Sequence, residues 1–196
     1  MKALRILVTG TTGGIGSAVK AEAIARGHEV VEFNRADFSS LATSPTAIKP
    51  NLSALVFCTG TCSVKPLSQT TDELLAETLR VNCSLFLSLM RTLVTAKLYD
   101  PQGLKAIAIS SVSATEGWPG GAAYCASKGA LSAMCRALNA ELKPKGISVV
   151  AIEPRYVKTR MFDQGAGRMG VPTAVAQDPQ ALAKEILDSL EGGNGR

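Results

Sequence analysis

The chain has 196 residues, 46% of them hydrophobic and 19% charged, which suits one ordinary globular domain with a full core. Its 21 basic and 16 acidic residues give a formal charge of +5, but the basic ones are scattered, with no run of five, so no nucleic-acid-binding stripe is indicated. No apolar run approaches the roughly 20 residues that span a bilayer, and the short apolar start runs into glycines without a cleavage site; a cytoplasmic protein without a membrane partner is expected.

The residue inventory narrows the chemistry further. Five cysteines (Cys58, Cys62, Cys83, Cys125 and Cys135) show no Cys-x-x-Cys pair and read as free thiols in a reducing compartment, with no metal site. The only histidine, His28, follows Gly27 in a helix-to-strand turn and is expected at the surface. With one histidine and no Gly-x-Ser-x-Gly elbow, a Ser-His-Asp mechanism is not supported.

Short Val-, Ile- and Leu-rich runs at 4–9, 29–34, 54–58, 104–110 and 147–153 read as strands covered on both faces. Helical patterns at 14–26, 71–97, 122–142 and 179–190 alternate with them; the second is either two helices or one with a loose start. Asp178 is positioned to cap the last helix, with Pro179 at its first position. Such alternation predicts an α/β Rossmann-like fold: a doubly wound parallel sheet in three α/β/α layers, with right-handed crossovers. A single domain over residues 1–191 is expected, followed by a frayed tail at 192–196. The Gly- and Ala-rich segment 164–177 is a lid or simply a loop.

The first strand runs into Thr9-Gly10-Thr11-Thr12-Gly13-Gly14-Ile15-Gly16, which opens the first helix. Gly10 permits a tight turn, Gly14 close approach of a diphosphate and Gly16 packing of helix on sheet, while the helix N-terminus offers free N–H groups to phosphate. After the second strand comes Glu32-Phe33-Asn34-Arg35. Glu32 sits too early to take ribose hydroxyls and Asn34 is neutral, whereas Arg35 is placed for a 2′-phosphate, so NADP(H) is preferred over NAD(H). The less favoured reading of Arg35 is a solvated strand-end charge. Asp37 either touches the adenine edge or serves as a turn or cap residue.

Tyr124 and Lys128 stand four apart in Tyr-Cys-Ala-Ser-Lys, and Ser111 ends an apolar run 13 residues before the tyrosine. Residues four apart share a helix face, so phenol and ammonium can share one site. A nearby cation favours the charged phenolate, and a tyrosine tuned downward from its usual pKa of about 10 can exchange a proton with an alkoxide. A serine hydroxyl beside it can stabilise the oxygen on which charge changes.

Taken in order, these residues resemble the short-chain dehydrogenase/reductase family over nearly the whole chain. Thr9, Gly10, Gly14, Ile15 and Gly16 match its cofactor turn, with Thr12 inside it, and Asn82 in Arg-Val-Asn-Cys matches its central-helix asparagine. Ser111, Tyr124 and Lys128 match its catalytic set, and 154–159, with Pro154, Val157 and Thr159, resembles the segment bordering the nicotinamide. The resemblance implies hydride exchange between nicotinamide and a carbonyl or alcohol. Tyr124 would be general acid or base, Lys128 would lower its pKa and bind ribose, Ser111 would hold the substrate oxygen, and Asn82 would open the central helix for a water relay.

Departures from the family pattern are also plain. The usual Asn-Asn-Ala-Gly is Phe57-Cys58-Thr59-Gly60 here, keeping Gly60 beside the cofactor but leaving Thr59 as a different contact. The usual Pro-Gly is Pro154-Arg155; Arg155 points outward, recognises an acidic substrate, or meets a cofactor phosphate. The chain is shorter than the family's usual length of about 250 residues. Only 18 residues separate Asn34 from Ser53, so the third strand is expected to be missing and the sheet to hold five or six strands.

Trp118, between Ser111 and Tyr124, is a substrate-lining candidate or a loop anchor. The resemblance implies a homodimer through the helices of Asn82 and Tyr124, and Leu85, Phe86, Leu89, Met90 and Leu93 give more apolar surface than one sheet contact needs. A second reading is a regulatory or interaction protein that binds cofactor with little turnover. A third, reduction of an acyl-carrier thioester, differs only in partner.

Overall fold

The computed structural model describes residues 2–40, 48–165, 167 and 170–192, with Arg35 and Ser40 by backbone alone. Five strands are found where the apolar runs predict them: β1 (Arg5–Thr9), β2 (Glu29–Phe33), β3 (Ala54–Phe57), β4 (Leu104–Ile109) and β5 (Ile147–Ile152). All pair parallel, in the order β2-β1-β3-β4-β5. All four residues of β3 are buried, as a strand covered on both faces requires.

Alternation along the strands divides the core. Ile6, Val8, Val56 and Ile107 face α1 (Gly14–Ala25) and α7 (Pro179–Glu191), packing on Val19, Leu182, Ile186 and Leu187. Leu7, Leu55, Phe57 and Ala106 face the opposite layer, where Phe86, Leu89, Leu131 and Cys135 lie. That layer holds α3 (Asp72–Leu79), α4 (Leu85–Thr95) and α5 (Ala122–Leu142). The result is the three-layer, doubly wound arrangement the sequence predicts.

The stretch read as one or two helices is α3 and α4 joined by a π-helical turn over Arg80–Ser84. Thr71 caps α3 by accepting the Leu74 N–H at 3.2 Å. Phe86, Leu89, Met90 and Leu93 of α4 are each at most 1% exposed within the single chain. Four of the five residues expected to give surplus apolar surface are therefore buried by the chain itself and supply no argument for a dimer; Leu85 is half-buried and Leu87 exposed.

Asp178 caps α7 through the Gln180 N–H at 2.9 Å, and Pro179 starts the helix, as expected. Between β2 and β3 lie α2 (Arg35–Ser40) and residues 41–47, which fall outside the described residues; no strand intervenes among those described. The segment 164–177 begins at the end of α6 (Arg160–Gln164), and its far end is tied down by a Val157–Gln177 bridge; residues 166, 168 and 169 are outside the description. Of the expected tail, 193–196 is likewise outside it.

His28 is not a surface residue. It is buried at 8% exposure, its Nδ1 accepting the Leu4 N–H at 3.3 Å and its Nε2 lying 2.8 Å from Glu191 of α7. Arg26 adds bonds to Asp188 at 2.6 Å and Glu191 at 2.8 Å, so the end of α1 clamps the last helix. A partner more than 160 positions away covers a turn that looks exposed locally.

Candidate active site

The C-terminal ends of the parallel strands form the cleft where this architecture binds ligands. At the end of β1, Gly10 has φ +66°, a left-handed conformation disfavoured for other residues. A Cβ there would also stand 3.2 Å from the backbone of Cys58 and Thr59. Gly16 differs from its expected role: a Cβ would lie 2.2 Å from the Gly10 carbonyl oxygen, so it lets α1 close on its own turn, not on the sheet. The N-cap Gly13 offers no side-chain cap and the first turn of α1 carries no acid, which leaves its N–H groups suited to phosphate. Thr12 is exposed beside them. Gly14 makes room for Thr159, whose methyl would be 2.4 Å from a Cβ at that position.

A polar strut supports this turn. The Thr11 N–H donates to Asn34 Oδ1 at 3.1 Å, and the Thr11 hydroxyl donates to Glu32 at 2.5 Å. Lys20 also pairs with Glu32 at 2.5 Å, and these two partners, Lys20 foremost, hold the carboxyl below its usual range. Asp37 takes the cap role: its Oδ2 accepts the Asn34 N–H at 2.6 Å, at the start of α2. The Arg35 side chain lies outside the described residues.

Ser111 follows β4 in extended backbone and is 5% exposed; its Oγ accepts the Ser113 N–H at 3.1 Å. It also lies near enough to Tyr124 to favour the ionised phenol. Helix α5 puts Tyr124 and Lys128 on one face, with Lys128 Nζ 5.6 Å from the phenol ring centre. Lys128 is 4% exposed and donates to the Ile109 carbonyl at 2.8 Å. Burial pushes Lys128 down to about 8. Burial, then Cys62, pushes Tyr124 up to about 12, against a smaller lowering by Ser111. The expected lowering of the phenol by the lysine is thus reversed here: desolvation of a buried phenolate dominates.

Asn82 sits at the centre of the π-turn and is fully buried. Its Oδ1 accepts the Thr61 N–H at 2.7 Å, and its Nδ2 donates to Thr61 O and Ser127 Oγ, both at 2.9 Å. The amide therefore ties the loop after β3 to α5. A widened helical turn at such a position commonly marks a functional site. In the same loop, Thr9 Oγ1 accepts the Cys58 and Thr59 N–H groups, each at 3.1 Å, and the Thr59 hydroxyl at 2.9 Å. Gly60 keeps the path beside the lysine clear; a Cβ there would lie 3.7 Å from Lys128 Nζ and 3.4 Å from Asn82 Oδ1.

A cavity of about 190 Å³ collects these groups: Ser111, Tyr124, Lys128 and Gly60 line it together with Ile15, Pro154, Val157 and Thr159. Trp118 also lines it, its indole N–H donating to Ser113 Oγ at 3.1 Å and its ring lying 6.2 Å from that of Tyr124. Arg155 lines the rim, paired with Glu116 at 2.7 and 3.2 Å. Thr61, Glu116 and Ser127 are supporting residues the sequence reading missed, and Thr9, recognised as part of the glycine turn, also ties down the loop after β3. Ser127 immediately precedes Lys128 and so stood next to a recognised position.

A parallel sheet with a glycine turn under one strand and a Ser-Tyr-Lys cluster past another defines a nucleotide-binding oxidoreductase scaffold. Residues 35–168 match the short chain dehydrogenase family model, and the chain belongs to that family. It is 27% identical to a 3-oxoacyl-(acyl-carrier-protein) reductase of Rickettsia felis over 95% of this chain and 91% of that protein. It is 29% identical to a hydroxynaphthalene reductase of Aspergillus fumigatus over 96% and 77%. A solved short chain dehydrogenase from Burkholderia cenocepacia in complex with NADP shares the fold at TM-score 0.82 and 22% identity, covering 98% of this chain and 86% of its own. A 3-ketoacyl-(acyl-carrier-protein) reductase from Brucella melitensis complexed with NADH gives 0.80 at 21%, covering 97% and 91%.

Proposed function

We propose that this protein is an NADP(H)-dependent oxidoreductase acting between a carbonyl and an alcohol, with Tyr124 as general acid or base. The observation that carries the reading is the convergence of Ser111, Tyr124 and buried Lys128 on one cavity beside the glycine turn. The cradle suits a dinucleotide: Gly10 is left-handed, the α1 N-terminus carries no side-chain cap, and Gly60 leaves the approach to Lys128 open. When bound, a nicotinamide would supply or accept the hydride.

The chain's own groups would handle the proton. A phenol pushed up to about 12 is protonated at neutral pH, ready to donate to the oxygen of a carbonyl being reduced. Ser111 would hydrogen-bond the same oxygen, strengthening as charge develops on it. Lys128, at about 8, is still charged at neutral pH and would steady the phenolate left behind. The backbone opened at Asn82 would lead water towards Lys128 and restore the proton.

The preference for NADP(H) rests on Arg35 directly after β2, on neutral Asn34, and on Glu32 being occupied by Lys20 and Thr11. Thr12, Gly14, Ile15, Thr59, Val157 and Thr159 are proposed to flank the cofactor, and Trp118 the substrate. Five free thiols suit a cytoplasmic setting. A homodimer remains a proposal from the family resemblance alone. The test is titration with NADPH and with NADH, followed by a carbonyl panel. Tight NADPH binding, weak NADH binding and NADPH consumption are expected. A protein that binds neither dinucleotide would refute the reading.

A further inference from the structure

The substrate side of the cavity has an uneven charge. Its lining carries three charged side chains: Lys128 at the base, and Arg155 with Glu116 at the rim. The remaining walls are largely apolar, with Val112, Trp118, Met161 and Phe162 among them. Two cations and one carboxylate leave a net positive lining, which attracts an anion and repels a cation.

The Arg155 guanidinium is engaged on the side of the loop between Ser111 and Tyr124. Arg155 follows the end of β5 after Pro154, while the phosphate-binding helix follows β1. Those strands are three steps apart in the sheet, and it is Thr159, further along the loop, that comes back to Gly14. The end of β2, where Arg35 stands, is one step further away. Arg155 instead reaches Glu116 in the loop between Ser111 and Tyr124, so the pair bridges the two loops that frame the reacting groups.

Glu116 occupies Nη1 and Nη2 of the guanidinium, and among the described residues Nε has no partner. The side chains of the pair are 59% and 51% exposed, so the bond is screened and exchanges at little cost. A planar guanidinium suits a second carboxylate bidentately. We propose that Arg155 is the substrate-anchoring residue and that the substrate is an oxo acid: its carboxylate takes the place of Glu116 on Arg155 while its ketone lies at Tyr124 and Ser111. The assignment deepens the oxidoreductase reading and rests on it. Glu116 holds the guanidinium extended across the rim until the acid arrives.

The experiment uses six-carbon oxo acids with the ketone moved stepwise from the second to the fifth carbon, each beside its methyl ester. Turnover is followed with NADPH and NADH in the wild type, Arg155→Gln and Glu116→Gln. At the best spacing the acid should exceed its ester about tenfold in kcat/KM, the worth of one charge-assisted contact at a half-exposed site. In Arg155→Gln the ratio should fall to about one, and in Glu116→Gln it should rise. Esters matching acids throughout the series, or an acid preference that survives Arg155→Gln, would overturn the assignment while leaving the oxidoreductase reading intact. Trp118, the one tryptophan of the chain, lines the same cavity and reports binding without chemistry. Quenching by acid over ester that Arg155→Gln removes, with no turnover and no binding of either dinucleotide, would support the anchor and reject the oxidoreductase reading. No quenching and no turnover with any compound would reject the anchor.

Discussion

Lys128 Nζ lies 5.6 Å from the centre of the Tyr124 ring, yet it gives its hydrogen bond to the Ile109 carbonyl at 2.8 Å. The lysine is thus fixed by the strand and not by the tyrosine. The two groups proposed for proton transfer are held as a buried ammonium pushed down to about 8 and a neutral phenol pushed up to about 12. The site accepts a cost in stability for holding the ammonium out of water.

That cost has a pH signature. Lys128 titrates near 8 in the folded chain and near 10.5 when unfolded, so between those values the unfolded chain binds more protons. The wild type therefore gains stability from this residue as pH rises through about 8 to 10.5, and Lys128→Met does not. The Tm of the variant minus that of the wild type should shrink steadily from pH 7.5 to pH 10. A difference independent of pH would mean that the ammonium is not desolvated.

Asn82→Ala removes the partner of the Thr61 N–H and C=O groups and of Ser127. Leaving such groups unpaired in a buried place should cost about 3 kcal/mol, or roughly 6–12 °C in Tm. Thermal unfolding measures it. A loss below 1 °C would show that the amide is not the tie between the loop after β3 and α5.

Gly16→Ala places a methyl against a backbone oxygen, the Gly10 carbonyl, at 2.2 Å. No side chain can move aside there, so the turn itself must shift. A loss of about 2–3 kcal/mol is expected in denaturant unfolding, together with weakened dinucleotide binding. Unchanged stability would place the constraint on Gly16 elsewhere.

Much of this was legible in the chain. The five strands announced themselves as Val- and Ile-rich runs because a doubly covered strand tolerates little else, and the set Gly10, Ser111, Tyr124 and Lys128 carried the site through order and spacing. What failed depended on distant partners. His28 follows a glycine turn, and nothing nearby signals that Glu191 covers it. The apolar stripe on α4 has the spacing of a buried face, but spacing does not tell a sheet from a second subunit. Tyr124 was expected to be lowered because a cation stands one helical turn away; how deeply burial opposes that cation is a three-dimensional quantity. The partnership of Arg155 with Glu116, 39 positions apart, was equally invisible.

The central claim is that Tyr124 is the proton donor at a shared nicotinamide and carbonyl site, and Tyr124→Phe tests it most directly. NADPH titration and NADPH-dependent carbonyl reduction should be measured side by side on both proteins. The variant should bind NADPH within about twofold of the wild type while its kcat falls by at least about 100-fold, the usual worth of a positioned general acid. A variant that reduces the same carbonyl at close to the wild-type rate would contradict the account.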